Sequence, residues 1–66
     1  MLVGKVRRGG YVFITRVSDH APRHVHVYQD GRFVMKWDLE NHRLMKGIAS
    51  IPAIRVIREL CAEGKL

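Results

Sequence analysis

Cysteine occurs once in this sequence of 66 residues, at Cys61. A single cysteine cannot form a disulfide within the chain, nor a zinc site built from several thiolates. Such composition is typical of proteins in reducing compartments, so we expect a cytoplasmic protein. No apolar run approaches the ~20 residues that a membrane-spanning helix requires. Met1-Leu2-Val3 is followed by glycine and charge rather than by the apolar segment of a secretory signal, so we expect no contact with a membrane.

Acidic side chains are half as frequent as basic ones. The sequence has 6 Asp and Glu against 12 Lys and Arg, so its formal net charge is +6. Residues 1–16 contain four bases and no acid. A basic end of this kind can bind phosphates or an acidic partner, although it can equally be a solvated tail. We predict contacts with nucleic acid or with a partner at Lys5, Arg7, Arg8, Arg16, Arg23, Tyr28 and Lys36.

The chain is also too short to bury a large hydrophobic core. Its hydrophobic fraction of 47% is ordinary for a globular protein. A domain of this size nevertheless buries only about 60% of the surface that its unfolded chain exposes, so its stability alone is marginal. We therefore expect a protein partner or a homo-oligomer, with nucleic acid as a further candidate partner.

Glycine divides the basic end from the rest of the sequence. Gly4, Gly9 and Gly10 interrupt residues 1–10, which we interpret as a basic N-terminal arm. Within this arm, Lys5-Val6-Arg7 can form a short edge strand whose positive charge discourages aggregation. Residues 11–66 are predicted to form a single small α+β domain.

Alternation of apolar and polar residues, together with β-branched and aromatic side chains, predicts the strands. The predicted strands are 11–17, 24–28, 32–39 and, on a weaker pattern, 43–49. Residues 51–63 are predicted to form a helix with Ser50 as N-cap, Pro52 in its first turn and Gly64 as its stop signal. The expected fold is therefore an antiparallel β-meander of three to four strands, packed on one C-terminal helix.

The register of the second predicted hairpin decides which side chains are buried. Asp30-Gly31 is a strong hairpin signal, but the loop can have two residues or can include Gln29 as a third. Because a shift of one residue moves every side chain to the other face, we chose the three-residue loop, which collects the apolar residues on one face. That face would hold Val25, Val27, Phe33, Met35, Trp37 and Leu39.

Three of the four histidines cluster between residues 19 and 28. His20 precedes Pro22, which favours a loop there. His24 and His26 alternate with valines, so on a strand they project from one face. Asp38 is the acid expected to approach His24 from the next strand.

These residues resemble the motif of a known family. Asp-His-x-Pro-x-His-x-His, a glycine hairpin, an apolar strand ending in Asp-Leu-Glu, and a final helix are similar to the bacterial domain-of-unknown-function 4160 family. The matching residues are Asp19, His20, Pro22, His24, His26, Gly31, Asp38, Leu39, Glu40 and Gly47. Arg23 departs from the pattern, because a second proline is expected there. The resemblance implies a small bacterial protein in a toxin–antitoxin-like module, where it would bind a protein or a nucleic acid.

The histidine cluster has two chemical interpretations. His20, His24 and His26 could hold a divalent metal as cofactor, with Asp19 or Asp38 as a further ligand or as a support for the histidines. Alternatively, His24 or His26 could act as the general acid or base of a small ribonuclease. Arg23, Lys36 or Arg16 would then contact the phosphate. The sequence leaves open whether the chain is an enzyme.

Two further interpretations need no catalysis. Tyr11, Tyr28 and Trp37 could stack on nucleobases while basic residues hold the phosphates, although Trp37 is more typical of a core. The histidines could also be structural, with His20 fixing the loop and His24 and His26 hydrogen-bonded across the sheet. Cys61 lies in the predicted apolar stripe of the helix and is expected to be a core residue.

Overall fold

The computed structural model of the chain describes residues 3–16 and 23–66. They form five strands and one helix: β1 Val3–Arg8, β2 Tyr11–Arg16, β3 His24–Gln29, β4 Arg32–Asp38, β5 Arg43–Gly47 and α1 Ile51–Ala62. All neighbouring strands are antiparallel, and their order in the sheet is β1-β2-β3-β4-β5. The predicted α+β meander with one C-terminal helix is confirmed, but the predicted count of three to four strands is wrong.

The additional strand comes from the segment interpreted as a basic arm. β1 pairs with β2 along its whole length, from Val3 opposite Arg16 to Arg8 opposite Tyr11. Gly9 and Gly10 both have positive φ, 62° and 82°, and together form a two-residue hairpin turn. The glycines that were expected to interrupt the arm therefore reverse the chain and place β1 at one edge of the sheet.

The hydrophobic core lies between one face of the sheet and the helix. The sheet contributes Phe13, Val25, Val27, Met35 and Trp37, the turn after β4 contributes Leu39, and the helix contributes Ala53, Ile57 and Leu60. In α1 these side chains recur at spacings of three and four residues, which places them on one side of a helix. Cys61 is half-buried and packs against this core.

The β3–β4 hairpin corrects the predicted loop. Its turn has two residues, Asp30 and Gly31, with φ of 53° and 76°, as a type I′ turn requires. A β-bulge then shifts the register between Val27 and Tyr28, so that Val34 is the extra residue of β4. The predicted face is restored beyond the bulge, because Val25 pairs with Trp37 and Val27 with Met35.

The bulge also explains the error at Phe33. Phe33 pairs with Tyr28 before the register shift, so it lies on the face away from the helix and is 42% exposed. Val34 packs against the core instead. The prediction that Phe33 belongs to the buried face is therefore wrong, whereas the other five predicted residues of that face are buried.

Both ends of the helix follow the predicted signals. The Ser50 side chain accepts a hydrogen bond from the Ala53 amide at 3.4 Å, and a proline stands in the first turn. At the other end Gly64 has φ of 77°. The Gly64 amide donates to the Cys61 carbonyl, and the Lys65 amide donates to the Leu60 carbonyl, which is a Schellman motif.

An ion pair joins the first strand to the end of the helix. Arg8 donates two hydrogen bonds to the Glu63 carboxylate, at 2.6 and 2.9 Å. The Arg8 hydrogen bond lowers the pKa of Glu63 from its ordinary 4.5 to about 2. Because this folded-state pKa is depressed, the pair stabilises the fold above pH 4.5, and that contribution is lost as the pH falls toward 2.

We expect Glu63→Gln to lower the melting temperature by a few degrees at pH 7. Thermal melts of the parent and the variant at several pH values between 7 and 2 should show this difference shrinking below pH 4.5, because Glu63 of the unfolded parent binds a proton there while the folded parent does not. Glu59→Gln is the control, since Glu59 only approaches Arg8 at 3.8 Å. A difference that stays constant over the whole range would contradict this assignment.

Gly47 closes β5 in a position that excludes any side chain. Its φ is 88°, and a Cβ there would overlap the Val34 carbonyl oxygen and approach Met35 Cα to 2.9 Å. Gly10 has a similar φ of 82°, but a Cβ there would have no atom within 4 Å. Substituting each glycine by alanine therefore distinguishes the cost of a positive φ, present at both positions, from the cost of steric overlap, present only at Gly47.

We expect Gly10→Ala to destabilise the fold by about 1 kcal/mol through the positive φ alone. Gly47→Ala should cost roughly 3 kcal/mol, because strand β4 must also move away. Urea unfolding of both variants measures the difference. Equal losses of unfolding free energy would show that the Val34 carbonyl is not the obstacle.

Candidate functional site

The sheet has two faces, and the helix covers one of them. The described residues place no helix or strand on the other, which we call the open face. Strand alternation and register put on it the side chains of Lys5, Arg7, Val12, Ile14, His24, His26, Tyr28, Phe33, Lys36, Asp38, Arg43 and Lys46. Val6 and Phe13, on alternate positions of the same strands, belong instead to the core or pack against it.

Three rows of side chains cross the open face. In the first, Lys5 is paired with Ile14, Ile14 with His26, His26 with Lys36, and Lys36 with Lys46. This row contains no acid.

The second row brings an arginine to the aromatic residues. Arg7 is paired with Val12, Val12 with Tyr28, and Tyr28 with Phe33, again without an acid. In the third row His24 is paired with Asp38, and Asp38 with Arg43, so one acid lies at this end of the face. The open face therefore has an apolar and aromatic middle with basic side chains at its margins.

Four rings form a continuous line over the middle of this face. The His24 and His26 rings meet edge to face, with centroids 5.4 Å apart, and His26 lies 6.4 Å from Phe33. Phe33 in turn meets the Tyr28 ring edge to face at 5.8 Å. These distances are ordinary for interacting aromatic pairs. Because Phe33 remains substantially exposed, the line presents an aromatic surface to solvent.

Phe33 is the aromatic residue of this site that the sequence interpretation missed, and Arg43 and Lys46 are the basic ones. The signal for Phe33 was available, because Asp30-Gly31 favours a two-residue turn, and such a turn pairs Tyr28 with Phe33. The three-residue loop was preferred since it collected all the apolar residues on one face. With the two-residue turn and the bulge, the other five apolar residues of that face are still buried, while Phe33 lies beside Tyr28.

The predicted contact residues divide between the two faces. Lys5, Arg7, Tyr28 and Lys36 lie on the open face. Arg8 points to the helix side, where its guanidinium is bound to Glu63. Arg23 is exposed directly before β3, and its backbone amide donates to the Glu40 carboxylate. The Arg16 side chain lies outside the described residues.

Two aromatic residues proposed for stacking are engaged elsewhere. The Tyr11 hydroxyl shares a hydrogen bond of 3.2 Å with Ser50 Oγ, on the helix side of the sheet. Trp37 is a buried residue of the core, as its alternative interpretation predicted. Neither ring is presented on the open face. Of the three residues proposed to stack on nucleobases, Tyr28 is therefore the one that lies on this face.

The metal interpretation can be followed only in part. His20 and Asp19 lie outside the described residues. His24 and His26 are half-buried neighbours on β3. Within residues 3–16 and 23–66, no group of three or more His, Cys, Asp or Glu side chains is arranged to hold a metal ion. A metal site that includes His20 stays a prediction.

Asp38 is paired with His24 in the register, but its carboxylate is occupied by the following turn. It accepts hydrogen bonds from the Glu40 amide at 2.8 Å, the Asn41 amide at 2.9 Å and Asn41 Nδ2 at 2.8 Å. These bonds, that of the Asn41 side chain foremost, lower the pKa of Asp38 below its usual range. Asp38 therefore holds the β4–β5 turn in its ionised form.

In the described part of the chain, no helix has both the length and the apolar character needed to cross a membrane. Comparison with protein-family models, with curated proteins and with solved structures gives no match for this chain. The resemblance to the domain-of-unknown-function 4160 family stays an expectation from its motif, and any function has to be argued from the open face.

Proposed function

We propose that the chain binds single-stranded nucleic acid on the open face of its sheet. The observation that carries this proposal is the line of aromatic rings that includes the exposed Phe33, with basic side chains on both sides. Asp38, the acid paired with His24 at one end of this line, has its carboxylate bound within the β4–β5 turn. The toxin–antitoxin-like context rests on the family resemblance alone.

Stacking supplies the first part of the interaction. Every nucleobase has a π-face, so exposed aromatic rings bind unpaired bases with little regard to sequence. Phe33 and Tyr28 meet edge to face at 5.8 Å. In this arrangement a base can stack on one ring while its neighbour contacts the other. Bases within a duplex are already stacked on each other, which is why the proposal is confined to single strands.

Basic side chains at the margins supply the second part. Lys5 and Arg7 on β1, Lys36 on β4 and Lys46 on β5 place positive charge around the aromatic middle. Phosphates of a strand lying across the sheet would displace counterions at these side chains. The overall charge of +6 adds long-range attraction for a polyanion.

A protein partner is the second candidate, and a different surface favours it. Leu44 and Met45 on β5 are exposed, and so are Ile48 and Ile51 after it, at 81% and 61%. Edge strands with exposed apolar residues are sites for pairing with another chain. The bulge in the β4–β5 register, together with Arg43 and Lys46, opposes regular strand addition there, so we rank this candidate below the open face.

Removing either ring should weaken the binding of a fluorescently labelled oligouridine. We expect Tyr28→Ala and Phe33→Ala each to raise the Kd about 5- to 100-fold, because stacking contributes ~1–3 kcal/mol per base. Ile48→Ala is the control, since it removes an even more exposed apolar side chain, 81% against 42% for Phe33, that follows β5 and is not in the rows of the open face. Fluorescence anisotropy at low salt measures all three. Unchanged affinity in both aromatic variants would reject the proposed surface.

The salt dependence of binding should identify the basic residues involved. For single strands, the slope of log K against log salt changes by about 0.7 for each phosphate neutralised. Lys5→Ala and Lys36→Ala should each reduce the slope by about this amount. Arg8→Ala should leave it unchanged, because Arg8 is bound to Glu63. An affinity that does not vary with salt, or no binding at low salt, would exclude nucleic acid as the ligand.

A further inference from the structure

We infer that the open face also cleaves the RNA it binds, with His24 and His26 as an acid–base pair acting on one phosphodiester. This inference rests on the proposed function, because it needs a strand held on the same surface. Its basis is the placement of two imidazoles in direct contact, 5.4 Å between ring centroids, in the middle of a basic and aromatic face.

The backbone of β3 holds the two imidazoles in place. β3 is the central strand of the sheet and is hydrogen-bonded to β2 on one side and to β4 on the other. His24 and His26 are two residues apart and therefore project from the same face. A general acid or base must reach its proton within about 3 Å. At their observed separation, both imidazoles can meet different oxygens of the same phosphodiester.

The neighbours of His26 fit the needs of this reaction, whereas Asp38, which is paired with His24, has its carboxylate bound by the Glu40 and Asn41 amides. Lys36 stands directly across from His26 in the register, where its charge would stabilise the negative phosphorane oxygens. The Phe33 ring lies 6.4 Å from His26. A base stacked on Phe33 would therefore position the adjoining phosphate next to His26 and Lys36. The binding of the base would in this way align the phosphodiester with the catalytic imidazoles.

The reaction balances without any metal or oxidant. One neutral imidazole takes the proton of the ribose 2′-hydroxyl. The 2′-oxygen forms a bond to phosphorus while the bond from phosphorus to the 5′-oxygen breaks. The second imidazole, in its protonated form, gives its proton to the leaving 5′-oxygen. The products are a 2′,3′-cyclic phosphate and a 5′-hydroxyl. Imidazole is the side chain that supplies both forms between pH 5 and 8.

The test compares two labelled strands of the same sequence, one of ribonucleotides and one of 2′-deoxynucleotides. The full chain, purified without a histidine tag and kept in EDTA, is incubated with each strand between pH 5 and 8. We expect both strands to bind and only the RNA to be cut, with a bell-shaped dependence of the rate on pH. The fragments should end in a 2′,3′-cyclic phosphate.

Substitutions connect the activity to the pair. His24→Gln and His26→Gln should each lower the cleavage rate by at least about 100-fold. Their affinity for the 2′-deoxy strand should fall much less than the cleavage rate, because Phe33 and Tyr28, the two rings on which the bases stack, remain. His42→Asn is the control, because His42 lies outside the open face, and asparagine tolerates its φ of 53°. If a glutamine variant fails to fold by circular dichroism, the product ends and the inert 2′-deoxy strand still test the inference in the parent.

The outcomes separate this inference from the function on which it rests. Binding of both strands without cleavage of the RNA would overturn the inference and leave the proposed function standing. Failure to bind either strand would reject the proposed function itself. Cleavage that survives both histidine substitutions, or that disappears in EDTA and returns with zinc, would also overturn the inference, because a contaminant or a metal would then be responsible.

Discussion

The fold depends on one extra residue in β4. The two-residue turn at Asp30-Gly31, continued regularly, would put Val25 and Val27 on the opposite side of the sheet from Met35 and Trp37. The bulge at Val34 shifts the register by one residue and brings all four onto the helix side. Burying such side chains stabilises a fold by ~1.5–3 kcal/mol each. Losing two of them would remove much of the ~3–10 kcal/mol that a domain of this size has, so the local disruption of a bulge is the smaller cost.

The same bulge creates the candidate site. Because the register shift lies between Val27 and Tyr28, the strand ends nearest the turn keep the pairing that the turn imposes. Phe33 is thereby held beside Tyr28, away from the helix, while Val34 takes its place against the core. In a regular hairpin with a single register, either the core would be complete or Phe33 would lie beside Tyr28 on the open face, but not both. The irregularity allows the two central strands to contribute to both.

Sequence alone predicted what depends on local chemistry and periodicity. Ser50, Pro52 and Gly64 marked the ends of the helix, and the alternation of His24 to Val27 placed the histidines and valines on opposite faces. It failed where two signals competed. The short edge strand predicted at Lys5-Val6-Arg7 lies within β1, but Gly9 and Gly10 can end a strand or reverse it, and only the pairing of β1 with β2 decides between these outcomes. Likewise, the hydrophobic pattern predicted a buried Phe33, whereas the turn type predicted a Phe33 paired with Tyr28. The bulge keeps the pairing that the turn imposes and still buries the other apolar residues of β3 and β4.

The distribution of basic residues shows why net charge could not identify the site. Lys5, Arg7 and Arg8 are close in sequence and were grouped as one basic arm. In a strand, Arg8 falls on the opposite face from Arg7, where it reaches the carboxylate of Glu63 and ties the first strand to the helix. Lys5 and Arg7 remain on the open face beside Ile14 and Val12. Strand periodicity therefore divides a single run of charge into a part that stabilises the fold and a part that is free to meet an anionic ligand.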